Sequence, residues 1–115
     1  SYWSHDGFAT DPDTGMFEKE SPSSNYASQT LVFDDLGVEV LDNAFEGYHT
    51  CLFAYGQTGS GKSYSIFGYE PNIGIIPMAC AEIFRRIELS KEKQNDSEEE
   101  VNYSVTISML EIYNE

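Results

Sequence analysis

Basic residues are scarce in this chain. Six lysines and arginines stand against 20 aspartates and glutamates, a net charge of -14 over 115 residues. All the basic residues except Lys19 and Lys62 fall between Arg85 and Lys93, and acids follow them directly. A surface that meets nucleic acid or an anionic membrane needs a basic patch, so this stretch offers neither partner a face. Long apolar runs are missing as well: none approaches the ~20 residues of a membrane-spanning helix. No charged start with an apolar stretch behind it marks a secretory leader. Cysteine is limited to Cys51 and Cys80, both inside apolar patterns and not at paired loop positions. That reads as free thiols in a reducing compartment, where the sequons at Asn95 and Asn102 carry no sugar. No methionine precedes Met16, and the chain stops at Glu115 inside a strand-like pattern, which suggests an internal piece of a longer protein.

The composition is otherwise that of a folded domain, with 40% hydrophobic and 23% charged residues. Residues 1–6 are aromatic, and Tyr2 and Trp3 suit a core better than a ligand. Residues 7–25 are polar and punctuated by Gly7, Pro12, Gly15 and Pro22, which predicts a surface loop. Asp11-x-Asp13-x-Gly15 resembles the start of a calcium loop but fails it. The glycine comes one place early, and Pro22 stands where a bidentate glutamate is required.

From Ser28 to Tyr48, Phe33, Leu36, Val40, Ala44 and Tyr48 recur every three to four positions, one face of a helix. Ser28 or Asn25 can cap its start and Gly47 can close it. Gly37 weakens its middle by about 1 kcal/mol relative to alanine, so packing has to hold it. Thr50–Tyr55 is an apolar run of strand length, as a buried central strand would be, with Cys51 a small buried hydrophobe. Pro77 to about Glu88 reads as a second helix with an apolar stripe at Ile76, Cys80, Ile83, Phe84 and Ile87. Residues 89–100 form a charged connector. Val101, Tyr103, Val105, Ile107 and Met109 then alternate with polar residues, a half-buried strand.

The chemistry lies between these elements. Gly56-Gln57-Thr58-Gly59-Ser60-Gly61-Lys62-Ser63 fits G-x-x-x-x-G-K-[ST], the phosphate loop, with a predicted strand before it and a helical segment opening at Lys62. The glycines let the backbone turn tightly and approach phosphates with no Cβ in the way. Inward N–H groups at a helix start form an anion nest. Lys62 reaches the β- and γ-phosphates as a point charge, and the Ser63 hydroxyl is placed to ligate Mg²⁺. Nucleotide binding follows from these roles. The acid behind the magnesium and the group that positions water come from later strands in such proteins, and no segment here supplies them.

Phe53-Ala54-Tyr55-Gly56-Gln57-Thr58-Gly59-Ser60-Gly61-Lys62-Ser63-Tyr64 resembles the phosphate-loop segment of kinesin motor domains, a longer and more specific pattern than the bare loop. Gly74-Ile75-Ile76-Pro77 and Leu110-Glu111-Ile112-Tyr113-Asn114-Glu115 are similar to two further segments of that family, in the same order. Ser1-Tyr2-Trp3-Ser4-His5, Asn25-Tyr26-Ala27-Ser28-Gln29 and Ala44-Phe45-Glu46-Gly47-Tyr48 resemble its kinesin-3 group. The likeness covers nearly all of residues 1–115 except the long loop at 7–22 and the acidic connector.

The resemblance implies an α/β fold: part of a three-layer phosphate-loop NTPase motor domain, with a central, mostly parallel or mixed sheet and helices on both faces. The loop strand and helix would occupy about 50–67. It implies ATP and Mg²⁺ as cofactors. Gly56, Gln57, Thr58, Gly59, Ser60, Gly61, Lys62, Ser63 and Tyr64 would hold ATP, Ser63 would take the metal, and Tyr64 would lie beside the adenine unless it is a core ring. No catalytic residue beyond Lys62 falls in this stretch, because the family's switch segments do not.

The function implied is the ATP-binding part of a microtubule motor in the cytoplasm, on the cytoskeleton. Microtubules would be met through parts of the motor domain outside these residues, since an acidic piece does not suit tubulin's acidic surface. The alternative is a degenerate or truncated kinesin-like domain that binds nucleotide or a partner without motor activity. Alone, the 115 residues are expected to be inactive and poorly soluble.

Overall fold

The computed structural model of the chain describes residues 7–94 and 101–114. Tyr2, Trp3 and His5, the connector residues 95–100 with the sequon at Asn95, and Glu115 lie outside the described residues. Two compact units divide the chain, Ser1–Ile83 and Phe84–Glu115.

In the first unit, the segment expected to be a surface loop holds an antiparallel hairpin. Strand β1 (Phe8–Thr10) pairs with β2 (Phe17–Lys19), Phe8 opposite Lys19 and Thr10 opposite Phe17. The polar composition of 7–25 hid it, because only two aromatic side chains of the hairpin carry its apolar side. Its turn is built on Asp11, whose carboxylate accepts from the Asp13 N–H at 2.8 Å and the Thr14 N–H at 3.3 Å. The Gly15 N–H closes onto the Asp11 carbonyl at 2.8 Å. This is an Asx turn, the ordinary use of an aspartate in this spacing. No group of acidic, histidine or cysteine side chains among the described residues could hold a metal ion.

Behind the hairpin, Ser28 caps helix α1 (Gln29–Val32) by accepting from the Leu31 N–H at 3.1 Å. The helical path continues through a π turn, Phe33–Gly37, into α2 (Val38–Phe45). A π turn inserts an extra residue and rotates everything after it. The inward face therefore runs Phe33, Gly37, Leu41 and not through Leu36, Val40 and Ala44, and both Ala44 and Tyr48 are exposed. Gly37 is more than a weak point in the helix. A Cβ there would lie 2.7 Å from Cε2 of Phe33, so the Phe33 ring rests on the glycine.

Thr50–Tyr55 forms no strand. The described residues contain two separate two-stranded sheets, β1–β2 and the small hairpin β3–β4, and neither pairs with this run. A strand exists only as half of a ladder, so an apolar run without a partner stays irregular and open. Tyr55 is 95% exposed, and Cys51 is an exposed free thiol where a buried one was expected.

Helix α3 (Lys62–Ile66) leads into β3 (Gly68–Tyr69), which turns back antiparallel into β4 (Asn72–Ile73). Helix α4 then runs from Ile75 to Gln94, two residues earlier and six later than Pro77–Glu88. Pro77 still falls in the first turn, where its missing N–H costs no helical bond. The extension takes in residues 89–94 of the expected connector. Phe33, Leu41 and Ile75 form the buried cluster of the first unit, with Val32, Val38, Met78, Ala79 and Ile83 around it.

In the second unit, Ile87 is buried, and the Val101 N–H donates to the Gln94 side chain at 3.3 Å. Residues 101–114 form no strand despite their alternating pattern, for the same want of a partner, and Leu110 is 89% exposed. Among the described residues, no helix is long and apolar enough to cross a membrane.

Candidate functional site

Residues 56–61 make a bent, irregular loop that ends on the first turn of α3. Gly61 stands just before the helix at φ 95°, ψ 12°, a left-handed conformation that a side chain would penalise. Gly59 is also left-handed, at φ 82°. At Gly56 the requirement is space, since a Cβ there would come within 2.5 Å of Ser60 Oγ. The loop is closed internally by the Ser60 N–H donating to the Gln57 carbonyl at 3.1 Å, and α3 begins with the Ser65 N–H on the Gly61 carbonyl at 2.9 Å.

The Lys62 side chain folds back over this loop. Its ammonium donates to the Gly56 carbonyl and, at 2.7 Å, to the Gln57 carbonyl. A positive charge is thereby fixed on the loop's own backbone, next to a cavity of about 530 Å³ lined by Ala54, Tyr55, Gln57, Gly59, Lys62 and Ser65, among others. The Ser60 hydroxyl is buried at the loop without a hydrogen-bond partner, and Ser63 is exposed at the second position of α3. A glycine cradle, an oriented ammonium and an unpaired hydroxyl around one cavity fit a polyphosphate. The metal has less. Of this chain's residues only the Ser63 hydroxyl was expected to hold it, so phosphate oxygens and waters would supply the other contacts.

Tyr64 lies elsewhere. Its ring packs 6.4 Å from Phe17 and 5.7 Å from Tyr69, in an aromatic cluster that continues from Phe17 to Phe8 at 5.3 Å and from Phe8 to Tyr26 at 5.6 Å. Burial pushes its phenol above the usual tyrosine range, and the neighbouring Tyr26 hydroxyl adds to the rise. Tyr64 does not line the cavity at the loop. The geometry is that of a core ring, not of a stacking platform beside a base.

Two residues that sequence reasoning passed over hold the back of the site. Asn72 is 2% exposed. Its side chain accepts from the Phe17 N–H at 2.8 Å and donates to the Gly15 carbonyl at 3.1 Å, so it grips the hairpin turn as a neighbouring strand would. The Gln29 amide donates both to the Asn72 carbonyl, at 3.3 Å, and to the Tyr64 carbonyl in α3, at 2.6 Å. These bonds span 35 to 57 residues of sequence, and no local pattern announces them.

The kinesin motor domain, as a family model, matches residues 10–115. The chain belongs to the kinesin motor-domain family. Kinesin-like protein KIF28 of Rattus norvegicus is 51% identical over 115 residues, all of this chain and 10% of that protein. Kinesin-like protein KIF1B of Homo sapiens is 48% identical over 98% of this chain and 5% of its own length. KIF1B and KIF13A, also at 48%, agree with the kinesin-3 resemblance.

Among solved structures, KIF14 with ADP in complex with a microtubule superposes with a TM-score of 0.57 at 42% identity, covering 71% of this chain and 26% of that one. A KIF14 dimer in a two-heads-bound state with AMP-PNP on a microtubule gives 0.56 at 41%, covering 77% and 26%. The described residues are therefore part of the α/β phosphate-loop fold of kinesin motor domains, with helices and two small sheets of it present here. The chain spans about a tenth of the length of the first of these curated relatives and about a quarter of the solved chains.

Proposed function

We propose that these residues form the ATP-binding part of a microtubule motor, with Gly56–Ser63 as the phosphate cradle. The Lys62 ammonium, held at 2.7 Å from the Gln57 carbonyl over the loop, carries the reading, because it places a fixed positive charge where phosphate oxygens would lie. Family membership and the two KIF14 structures with nucleotide and microtubule support it.

Within the site, the backbone of Gln57–Gly61 takes the phosphates and Lys62 orients them. The Ser63 hydroxyl would hold Mg²⁺, and the buried Ser60 hydroxyl is available to a phosphate oxygen. Bound MgATP supplies the phosphoryl bond and the charge neutralisation that hydrolysis requires. Tyr64 supports the loop from behind as part of the aromatic cluster. Microtubule contact belongs to other parts of the motor domain, in keeping with the acidity of this stretch. The protein would work on the cytoskeleton, in the cytoplasm.

The test is ATP hydrolysis by the intact motor domain with and without microtubules. Stimulation by microtubules that Lys62→Ala abolishes is the expected result. Hydrolysis that ignores both the polymer and the substitution would overturn the proposal.

A further inference from the structure

Four hydrogen bonds among five residues link the β1–β2 hairpin to α3. The hairpin turn offers the Phe17 N–H and the Gly15 carbonyl, and both are taken by the Asn72 side chain. The Asn72 carbonyl passes to the Gln29 amide, which holds the Tyr64 carbonyl of α3 at 2.6 Å. That helix carries Lys62 and Ser63 two and one residues before Tyr64. A second line runs beside the first, through the rings of Phe17, Tyr64 and Tyr69. Asn72 and Gln29 are both buried, so neither amide can replace a lost partner with bulk water.

The helix they hold is only five residues long and carries no side-chain cap of its own. A helix that short has few internal bonds, so its orientation depends on what grips it from outside. Gly74 adds a close approach: a Cβ there would lie 2.7 Å from the Ile66 carbonyl, so the chain leaving β4 is pressed against the end of α3. Hairpin, β4 and α3 therefore share one set of contacts.

We propose that Asn72 is a positioning residue for the nucleotide site: it clamps the β1–β2 hairpin onto the segment behind the phosphate loop and, through Gln29, sets the orientation of the helix that presents Lys62 and Ser63. Through that helix, the hairpin acts as a brake on nucleotide release. This rests on the nucleotide-binding reading above.

The experiment measures release of methylanthraniloyl-ADP from the intact motor domain by stopped-flow fluorescence, with melting temperature measured alongside. Asn72→Asp keeps the size and the acceptor for Phe17 but turns an oxygen toward the Gly15 carbonyl. Gln29→Met removes only the bridging donor. Each is expected to speed release about three- to tenfold, the scale of one lost buried hydrogen bond. Leu41→Ala, in the helix cluster away from this network, lowers the melting temperature and leaves release within about twofold.

Unchanged release in Asn72→Asp and Gln29→Met overturns the proposal. So does a change that simply follows the melting temperature across all three variants. Where Asn72→Asp does not fold, Gln29→Met decides alone. Failure of the unsubstituted domain to bind the fluorescent ADP would instead overturn the nucleotide reading itself, a distinguishable result.

Discussion

The Lys62 ammonium sits 2.7 Å from the carbonyl of Gln57, five residues back along the same loop. A lysine ordinarily extends into solvent to keep its charge hydrated. Here it is turned onto backbone oxygens beside a cavity, which fixes both the position of the charge and the shape of the loop around it. Site and scaffold are the same few residues, and the predictions begin from that.

Gly61→Ala tests the loop's backbone. At φ 95° an alanine side chain costs on the order of 1–2 kcal/mol. The strain falls where the loop meets α3. The intact motor domain should stay folded by circular dichroism and lose at least tenfold in ATP affinity. Retained affinity would mean that the left-handed turn is not needed to shape the cradle.

Tyr64 separates a core role from a base-stacking role. Tyr64→Phe removes a buried hydroxyl whose near polar neighbour is Tyr26 and keeps the ring, so melting temperature should stay close to that of the parent. Tyr64→Ala opens the aromatic cluster at a cost of about 2 kcal/mol, below the usual range for a buried ring because this one is only half-buried. If stability is unmoved by Tyr64→Ala while adenine-nucleotide selectivity collapses, the ring belongs to the ligand and not to the core.

The hairpin turn should respond to acid. N–H groups of Asp13 and Thr14 hold the Asp11 carboxyl below its ordinary value. A carboxylate with a depressed folded pKa stabilises its turn above the unfolded value, and the contribution is lost as pH falls through the folded one. Amide exchange at Asp13 and Thr14 should therefore stay slow at neutral pH and quicken, relative to the intrinsic rate, only below the usual carboxylate range. In Asp11→Ala it should be fast at every pH. Protection that does not depend on Asp11 would contradict the assignment.

Much of this was legible locally, and what was not shares a physical cause. The glycine-rich bend at 56–61 and the Ser28 cap are short-range devices, in which glycine, lysine and serine act on backbone a few residues away. Thr50–Tyr55 and 101–113 have the composition of strands, but a strand needs a second chain segment, and none of the described residues pairs with them. Within the π turn the Phe33 ring lies over Gly37, a contact that hydrophobic periodicity does not encode. Asn72 and Gln29 act across distances in sequence that no motif spans.

Those two unpaired runs carry a consequence of their own. Phe53, Tyr55, Met109, Leu110 and Ile112 are open to solvent in segments of high strand propensity. The isolated 115 residues should elute as aggregates, bind a hydrophobic dye and show no ATP hydrolysis. A monomer with a sharp cooperative melt would show that these segments are satisfied within the chain.

The most direct test of the nucleotide site is the affinity of the intact motor domain for a fluorescent ATP analogue, compared between the unsubstituted protein and Lys62→Ala. Removing the charge that the loop holds in place should abolish tight binding while the melting temperature without nucleotide stays close to that of the parent. Unchanged affinity in Lys62→Ala would contradict the assignment of Gly56–Ser63 as the phosphate cradle.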